Sequence, residues 1–334
     1  MSGLATILGQ ERAIGMIRRA VRADRLHHAN LFHGPAGVGK HTTARALAAW
    51  MNCTGRAAEG DDACGACRSC RLMESGNHPD MVEVKPDGQY IKIDQVRALQ
   101  QLTRFRPHEA KRRVILIDQA EALREEAANA LLKTLEEPTG DTVFFLVTSQ
   151  AHLLLSTIRS RCQPVQFAAL KAADVSHLLM SRGVDAVDAE RVARLSEGSV
   201  SCAMEVLESP VYASRDELFD HLWRLMSGQI DRAIRWAEEL ARAKAELPAW
   251  LGLLRTIFRD VALHAGGASA QRQLHWDATE GVVRLSQRSG LYHALYVLQR
   301  IEESERLLLG NVNPRMVLEC LLLDIARAPD EVAR

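Results

Sequence analysis

Three cysteines stand at two-residue gaps in Cys64-Gly65-Ala66-Cys67-Arg68-Ser69-Cys70, and a fourth, Cys53, lies eleven positions upstream. Four thiolates suit tetrahedral Zn²⁺, and a full set with no open position makes such a site structural rather than catalytic. Gly55 and Gly65 give the backbone freedom to wrap the ion. An iron–sulfur cluster is the alternative, because four thiolates also hold those. The remaining three of the seven cysteines, Cys162, Cys202 and Cys320, lie apart and read as buried apolar side chains.

A second chemistry is written in Gly34-Pro35-Ala36-Gly37-Val38-Gly39-Lys40, the first seven positions of a phosphate-binding loop. Gly34, Gly37 and Gly39 let the backbone curl until several N–H groups converge on phosphate oxygens. Lys40 reaches the terminal phosphates, and the N-terminus of the following helix adds positive potential. The eighth position should be Ser or Thr, whose hydroxyl coordinates Mg²⁺, but it is His41. Magnesium wants hard oxygen ligands, for which imidazole is a poor substitute. Thr42 does not repair this, since one helical position turns a side chain by about 100°. The partner motif, an apolar strand ending in an acid, is Val114-Ile115-Leu116-Ile117-Asp118, with Asp118 placed to contact the magnesium shell. P-loop ATPases usually follow that acid with a Glu that activates water. Here Gln119 follows it, which cannot take a proton, and Glu121 is expected to point elsewhere.

The elements around these motifs alternate helix and strand over the first 165 or so residues. Helices are expected over 10–25, 40–51, 94–104 and 125–135, the last closed by Pro138-Thr139-Gly140. Strands are expected over 30–33, 81–84, 114–117, 143–147 and 165–167. Apolar runs of four or five residues between helices suggest a parallel sheet covered on both faces. After Phe167 strand-like runs disappear, and breakers at Gly183, Gly198, Pro210 and Gly228 divide a helical remainder. Residues 251–265 and 292–309 carry the apolar stripes of a helical bundle.

The composition fits. At 334 residues, 47% hydrophobic and 25% charged, the chain can bury sizeable cores in two or three domains. It is not a disordered, collagenous or disulfide-packed sequence. Lys plus Arg is 42 and Asp plus Glu is 42, so the net charge is zero and DNA binding by phosphate neutralisation alone is disfavoured. The locally basic Lys111-Arg112-Arg113 and Arg104 with Arg106 read as a solvated face. No run of 18 apolar residues suggests a membrane span, and the N-terminus lacks a signal-peptide pattern. The expected setting is the cytoplasm, where thiols stay reduced.

Taken together, these features resemble the clamp-loader subunits of bacterial DNA polymerase III, a subgroup of the AAA+ proteins. The resemblance rests on Ile7-Leu8-Gly9-Gln10, the phosphate loop, and the cysteines inserted just after its helix. It rests further on Asn129-Ala130-Leu131-Leu132-Lys133-Thr134-Leu135-Glu136-Glu137-Pro138 and on Ser160-Arg161-Cys162. It covers at least residues 1–205; beyond them the match is only to a helical domain of the right size. The family implies an α/β AAA+ P-loop domain over 1–166, with a parallel sheet between helices and a zinc module at about 53–70. A small helical lid over 167–208 and an all-α collar over 209–334, the oligomerising part, would follow.

Family subunits are either motor ATPases or rigid members with little or no hydrolysis. His41 and Gln119 depart from the motor pattern. So does Ser201 in Gly198-Ser199-Val200-Ser201, where motor subunits carry an Arg on the γ-phosphate. Arg161 is retained, and in the family the arginine of this triplet reaches the neighbouring subunit's ATP. The resemblance therefore implies an ATPase-deficient scaffold of the polymerase III holoenzyme. It would lend Arg161 in trans to a gamma/tau motor subunit while the sliding clamp is loaded onto primed DNA. Partners would be the gamma/tau and clamp-binding delta subunits in a hetero-oligomer, with the clamp and primed DNA at hand in the complex. Zinc would sit on Cys53, Cys64, Cys67 and Cys70. ATP or ADP would be held weakly or not at all by Gly34, Gly37, Gly39, Lys40 and Asp118. Two alternatives differ in kind. An active gamma/tau-type ATPase needs His41 and Gln119 to be tolerated, and a zinc-dependent DNA-binding module needs basic, aromatic surroundings that the cysteines lack.

Overall fold

The computed structural model describes residues 3–327 apart from 56–59, 137–140, 270–271, 309 and 311. Glu137, Pro138 and the Pro138-Thr139-Gly140 stop lie outside the described residues. The chain packs as two units. One comprises the residues up to Leu178 together with Glu197–Ser201; the other comprises Leu179–Ser196 and the residues from Cys202 onward.

The first unit contains β1 (Ala29–His33), β2 (Met81–Val84), β3 (Arg113–Ile117), β4 (Thr142–Thr148) and β5 (Gln163–Gln166). Its helices are α1 (Glu11–Arg22), α2 (Lys40–Met51), α3 (Arg68–Ser75), α4 (Ile93–Thr103), α5 (Glu125–Glu136), α6 (Ser156–Arg159) and most of α7 (Ala172–Met180). The strands form one parallel sheet in the order β2-β3-β4-β1-β5. Successive side chains of a strand face opposite ways, and the core divides accordingly. Phe32, Val114, Leu116, Val143, Phe145 and Val147 pack with Ile14 and Ile17 of α1 and Leu47 and Trp50 of α2. Leu31, Ile115, Ile117, Phe144 and Leu146 pack on the other side with Val96 and Leu99 of α4 and Leu131 of α5. This two-sided burial is why β3 and β4 read as unbroken apolar runs rather than alternating ones.

Two local expectations need correction, and one helix is unforeseen. The last strand ends at Gln166, and Phe167 instead donates its N–H to His33 O at 2.8 Å while its ring enters the core. The cysteine segment contains a helix, α3, which closes at Gly76. Arg113 is not part of a solvated basic face: it is 6% exposed and pairs with the fully buried Asp80 at 3.2 Å.

The second unit is helical among its described residues: α8 (Ala186–Leu195), α9 (Val200–Glu208, whose first two residues belong to the first unit), α10 (Pro210–Ala213), α11 (Arg215–Met226), α12 (Asp231–Arg242), α13 (Leu247–Ala265), α14 (Thr279–Leu308) and α15 (Pro314–Ala326). Pro210 opens α10 at a first-turn position, where its missing N–H costs no hydrogen bond. Helix α14 breaks at Gly290, whose φ of 66° and ψ of 175° lie outside the helical region. A continuous core runs through Leu222, Trp250, Phe258, Leu285, Val297 and Leu321. No helix among the described residues is long and apolar enough to cross a membrane.

Candidate functional site

The four cysteines converge. One ligand sulfur from each of Cys53, Cys64, Cys67 and Cys70 lies within 4.8 Å of the others, and Cys53 Sγ is 3.9 Å from Cys67 Sγ. A tetrahedron of sulfurs with Zn–S near 2.3 Å has edges of about 3.8 Å, so the spacing fits that ion. Cys53 sits just past the end of α2, and Cys67 caps α3, accepting from the Cys70 N–H. The Cys64 N–H donates to Cys53 Sγ at 3.3 Å and the Cys67 N–H to Cys64 Sγ at 3.3 Å. Backbone donors aimed at sulfur favour thiolate over thiol. Burial pushes the Cys67 thiol up, but hydrogen bonding to Thr54 and the Cys70 amide brings it down to about 5. At Gly55 a β-carbon would lie 3.0 Å from Cys64 Sγ, so the backbone passes closely around the sulfurs. Cys162 is buried as expected, Cys202 is half-buried, and Cys320, contrary to expectation, is exposed.

The phosphate loop leaves the carboxyl end of β1, on the sheet edge where ligands of parallel α/β folds bind. Gly34 adopts φ +143°, and a β-carbon there would lie 2.1 Å from Phe167 O. Gly39, at φ 92°, leads into α2. The Lys40 ammonium turns back on its own loop, donating to Gly34 O at 2.7 Å and to Pro35 O. Burial lowers its pKa, and the carboxylates of Glu121 and Asp118 offset part of that shift. His41 turns toward β2. Its Nε2 lies 3.5 Å from Glu83 Oε2 on β2, beside the Arg45 guanidinium that pairs with the same carboxylate at 2.5 Å.

Asp118 follows β3, and its carboxylate accepts from the Gln119 N–H at 3.1 Å. Gln119 is exposed, at φ 50°. Glu121 belongs to this edge more fully than its spacing suggested. Its carboxylate accepts from Ser149 N–H at 3.1 Å and from Ser149 Oγ at 2.7 Å, beyond the end of β4. Burial raises its pKa, but these hydrogen bonds outweigh burial and the net shift is downward. Ser201 also reaches the loop: the neighbouring Val200 N–H donates to Gly37 O at 2.9 Å.

Arg161 lies elsewhere. It precedes β5, whose Gln163 sits opposite Asn30 and whose Gln166 sits opposite His33. Gln163 therefore marks the amino edge of the sheet and His33 the carboxyl edge, where Gly34 begins the loop. At about 3.3 Å per residue the paired stretch alone separates the two by about 10 Å. The guanidinium stays on its own edge, ion-paired with Glu136 at the end of α5 and donating to Thr157 O at 3.0 Å. The structure thus brings Gly34, Gly37, Gly39, Lys40, Asp118, Gln119 and Ser201 to one edge and leaves Arg161 at the other. Glu83 and Ser149 escaped the sequence reading, as did the contact of Glu136 with Arg161, because each acts through a partner distant in the chain.

A family profile described as "DNA polymerase III, delta subunit" matches residues 9–171. The DNA polymerase III subunit delta' of Bacillus subtilis is 30% identical over 318 residues, covering 94% of this chain and 95% of that protein. The delta' subunit of Pseudomonas aeruginosa is 32% identical over 320 residues, covering 90% and 92%. The tau subunit of Escherichia coli is 31% identical over 307 residues, covering 88% of this chain but 44% of its own length.

Proposed function

The chain belongs to the delta' family of DNA polymerase III clamp-loader subunits, and on that footing we propose that it is the non-hydrolysing scaffold of the loader, lending Arg161 to a neighbouring motor subunit. Identity alone does not choose between scaffold and motor, because tau is as similar as delta' over the shared length. The residues favour the scaffold. One observation supports the reading: Arg161 stands on the sheet edge opposite its own phosphate loop, away from the chain's own nucleotide site.

The chain's own site is poorly equipped for hydrolysis. His41 supplies no hard oxygen ligand and is drawn toward Glu83. Gln119 cannot accept a proton from water, and Ser201 brings no charge to a γ-phosphate. Gly34, Gly37, Gly39, Lys40 and Asp118 would hold ATP or ADP weakly or not at all. Arg161, 35% exposed at its side chain, keeps the flat, forked donor set that neutralises charge on a transferring phosphoryl group. Zn²⁺ on Cys53, Cys64, Cys67 and Cys70 would tie the segment after α2 to α3, stabilising the α/β domain with no catalytic part.

Residues 1–166 are then the AAA+ domain, 167–208 the lid and 209–334 the collar that joins gamma/tau and delta subunits in the bacterial cytoplasm. The sliding clamp and primed DNA would be met in that assembly. Arg161→Ala and Arg161→Lys test the reading in a reconstituted complex with motor and delta subunits. Both variants should fold, keep their metal and assemble, while DNA-stimulated ATP hydrolysis and clamp loading fall roughly tenfold or more. Normal loading rates with either variant would remove Arg161 from a neighbour's active site.

A further inference from the structure

Arg161 is already engaged within its own chain. It forms an ion pair with Glu136, its Nη1 donates to Thr157 O at 3.0 Å, and its Nε is buried without a hydrogen-bond partner among the described residues. Glu136 and Arg161 share the wall of an open pocket of about 340 Å³ with His27, His28, Ser160 and Cys162. Among the described residues, Glu136 is the one carboxylate lining that pocket and Arg161 the one guanidinium.

Two features mark the carboxylate as a competitor for the guanidinium rather than its support. First, Arg161 keeps a hold without it, since Thr157 O, one turn back in the same segment, accepts from Nη1. Second, the pair is half in water, with 35% of the Arg161 side chain and 48% of the Glu136 side chain exposed. An ion pair so exposed contributes little. A phosphate, with more charge and more acceptor oxygens, takes a forked guanidinium more strongly. A carboxylate left beside an arriving phosphate also repels it.

We infer that Glu136 holds Arg161 in reserve and sets how tightly the neighbouring subunit's terminal phosphate is gripped, because that phosphate must displace the Glu136 carboxylate from the guanidinium. This inference rests on Arg161 acting in trans. Glu136 touches no substrate and is a positioning residue, so its signature is in the ATP requirement rather than in the chemical step.

The test is steady-state ATP hydrolysis by the reconstituted, DNA-stimulated complex carrying Glu136→Gln. The KM for ATP should fall by roughly three- to tenfold with kcat held within about twofold, the pattern of a removed ground-state competitor. Glu136→Asp, which keeps the charge and shortens the reach, should fall between the two. In an Arg161→Ala background, Glu136→Gln should no longer change KM. An unchanged or raised KM, a kcat drop like that of Arg161→Ala, a persistent KM effect without Arg161, or failure of both Glu136 variants to assemble would each overturn the inference. If Arg161→Ala alone left hydrolysis normal, the trans assignment itself would fail, an outcome distinguishable from all of these.

Discussion

The Ser201 hydroxyl oxygen stands 2.0 Å from where a β-carbon on Gly37 would be, with Ser199 Oγ at 2.3 Å and Ser201 N at 2.8 Å. Gly37 also has φ +69°, a conformation that L side chains adopt at a cost. The Val200 N–H donates to its carbonyl. The tip of the phosphate loop is thus clasped by the segment before and at the start of α9. In a motor subunit the family would place a γ-phosphate arginine at position 201; here a short hydroxyl packs on the loop backbone.

Gly37→Ala should therefore be costly beyond its backbone term. Gly88 supplies the control, since it has a similar φ of +73° but nothing within 4 Å of its would-be β-carbon. Gly88→Ala should lose about 1 kcal/mol, from conformation alone. Gly37→Ala should lose about 1–3 kcal/mol more, because backbone at Ser201 has to shift. Unfolding midpoints in urea, read with hydrogen exchange of the α2 amides, check this. Equal losses at the two positions would mean that the 199–201 segment yields freely.

The sulfur cluster predicts its own metal content. Elemental analysis should find about one zinc per chain and little iron, because four mutually close thiolates suit a tetrahedral ion with no open position. Cys67→Ser leaves three thiolates while a serine hydroxyl can still cap α3, so it should lower zinc affinity and destabilise the first unit through the metal site alone. A chelator should reproduce the loss in the unmodified chain. Stoichiometric iron, or no metal with undiminished stability, would contradict a structural zinc site.

Much of this was readable in advance, and the reason differs by element. Strands β3 and β4 could be placed because a strand buried on both faces leaves an apolar run with no helical period. Helix α2 begins at Lys40 because the loop glycines end there. The cysteines, the loop and Asp118 are local patterns, so spacing alone brings them to light. Arg113 was misread because charge runs usually mark solvated faces, whereas its partner Asp80 lies 33 residues away. Helix α3 is only eight residues long, too short for an apolar period to mark it in the sequence. Cys320 shows that one apolar residue on an amphipathic helix has no legible burial until the helix face is known. The Glu136–Arg161 pair joins two motifs that are each legible, but their contact is not.

Asp80 gives an acid limit to stability. It is fully buried, and its carboxylate accepts from the backbone N–H of His108, Glu109 and Ala110 and pairs with Arg113. Burial pushes its pKa up, but these donors and the guanidinium outweigh burial, so the net shift is below the ordinary 3.8. A carboxyl with a depressed folded pKa contributes stability that is fully present above its unfolded value. That contribution is lost as pH falls through the lower folded value. Asp80→Ala strands a buried guanidinium and should lose about 3–5 kcal/mol at neutral pH. The stability gap between the unmodified chain and Asp80→Asn should hold steady from pH 7 to about 4 and narrow only below that. Zinc loss in acid affects both proteins, so the gap isolates Asp80. A gap that closes near pH 6 would place the effect on another group.

The isolated chain should turn over ATP at background level. General-base assistance alone is worth about 10²–10⁴-fold, and Gln119 cannot provide it. Metal placement is a second loss, because His41 lies 3.5 Å from Glu83 and presents no hydroxyl to magnesium. Lys40 adds a third obstacle, since its ammonium is already satisfied by Gly34 and Pro35 carbonyls that a phosphate would have to replace. His41→Thr with Gln119→Glu restores the first two and should raise turnover measurably above the parent chain. The rise should stay well short of a motor subunit, because Ser201 still offers no positive charge. Adding Ser201→Arg to the pair should raise turnover again if space opens beside Gly37, and should unfold the loop if it does not. Phosphate release by the unmodified chain at a motor subunit's rate would end the scaffold assignment.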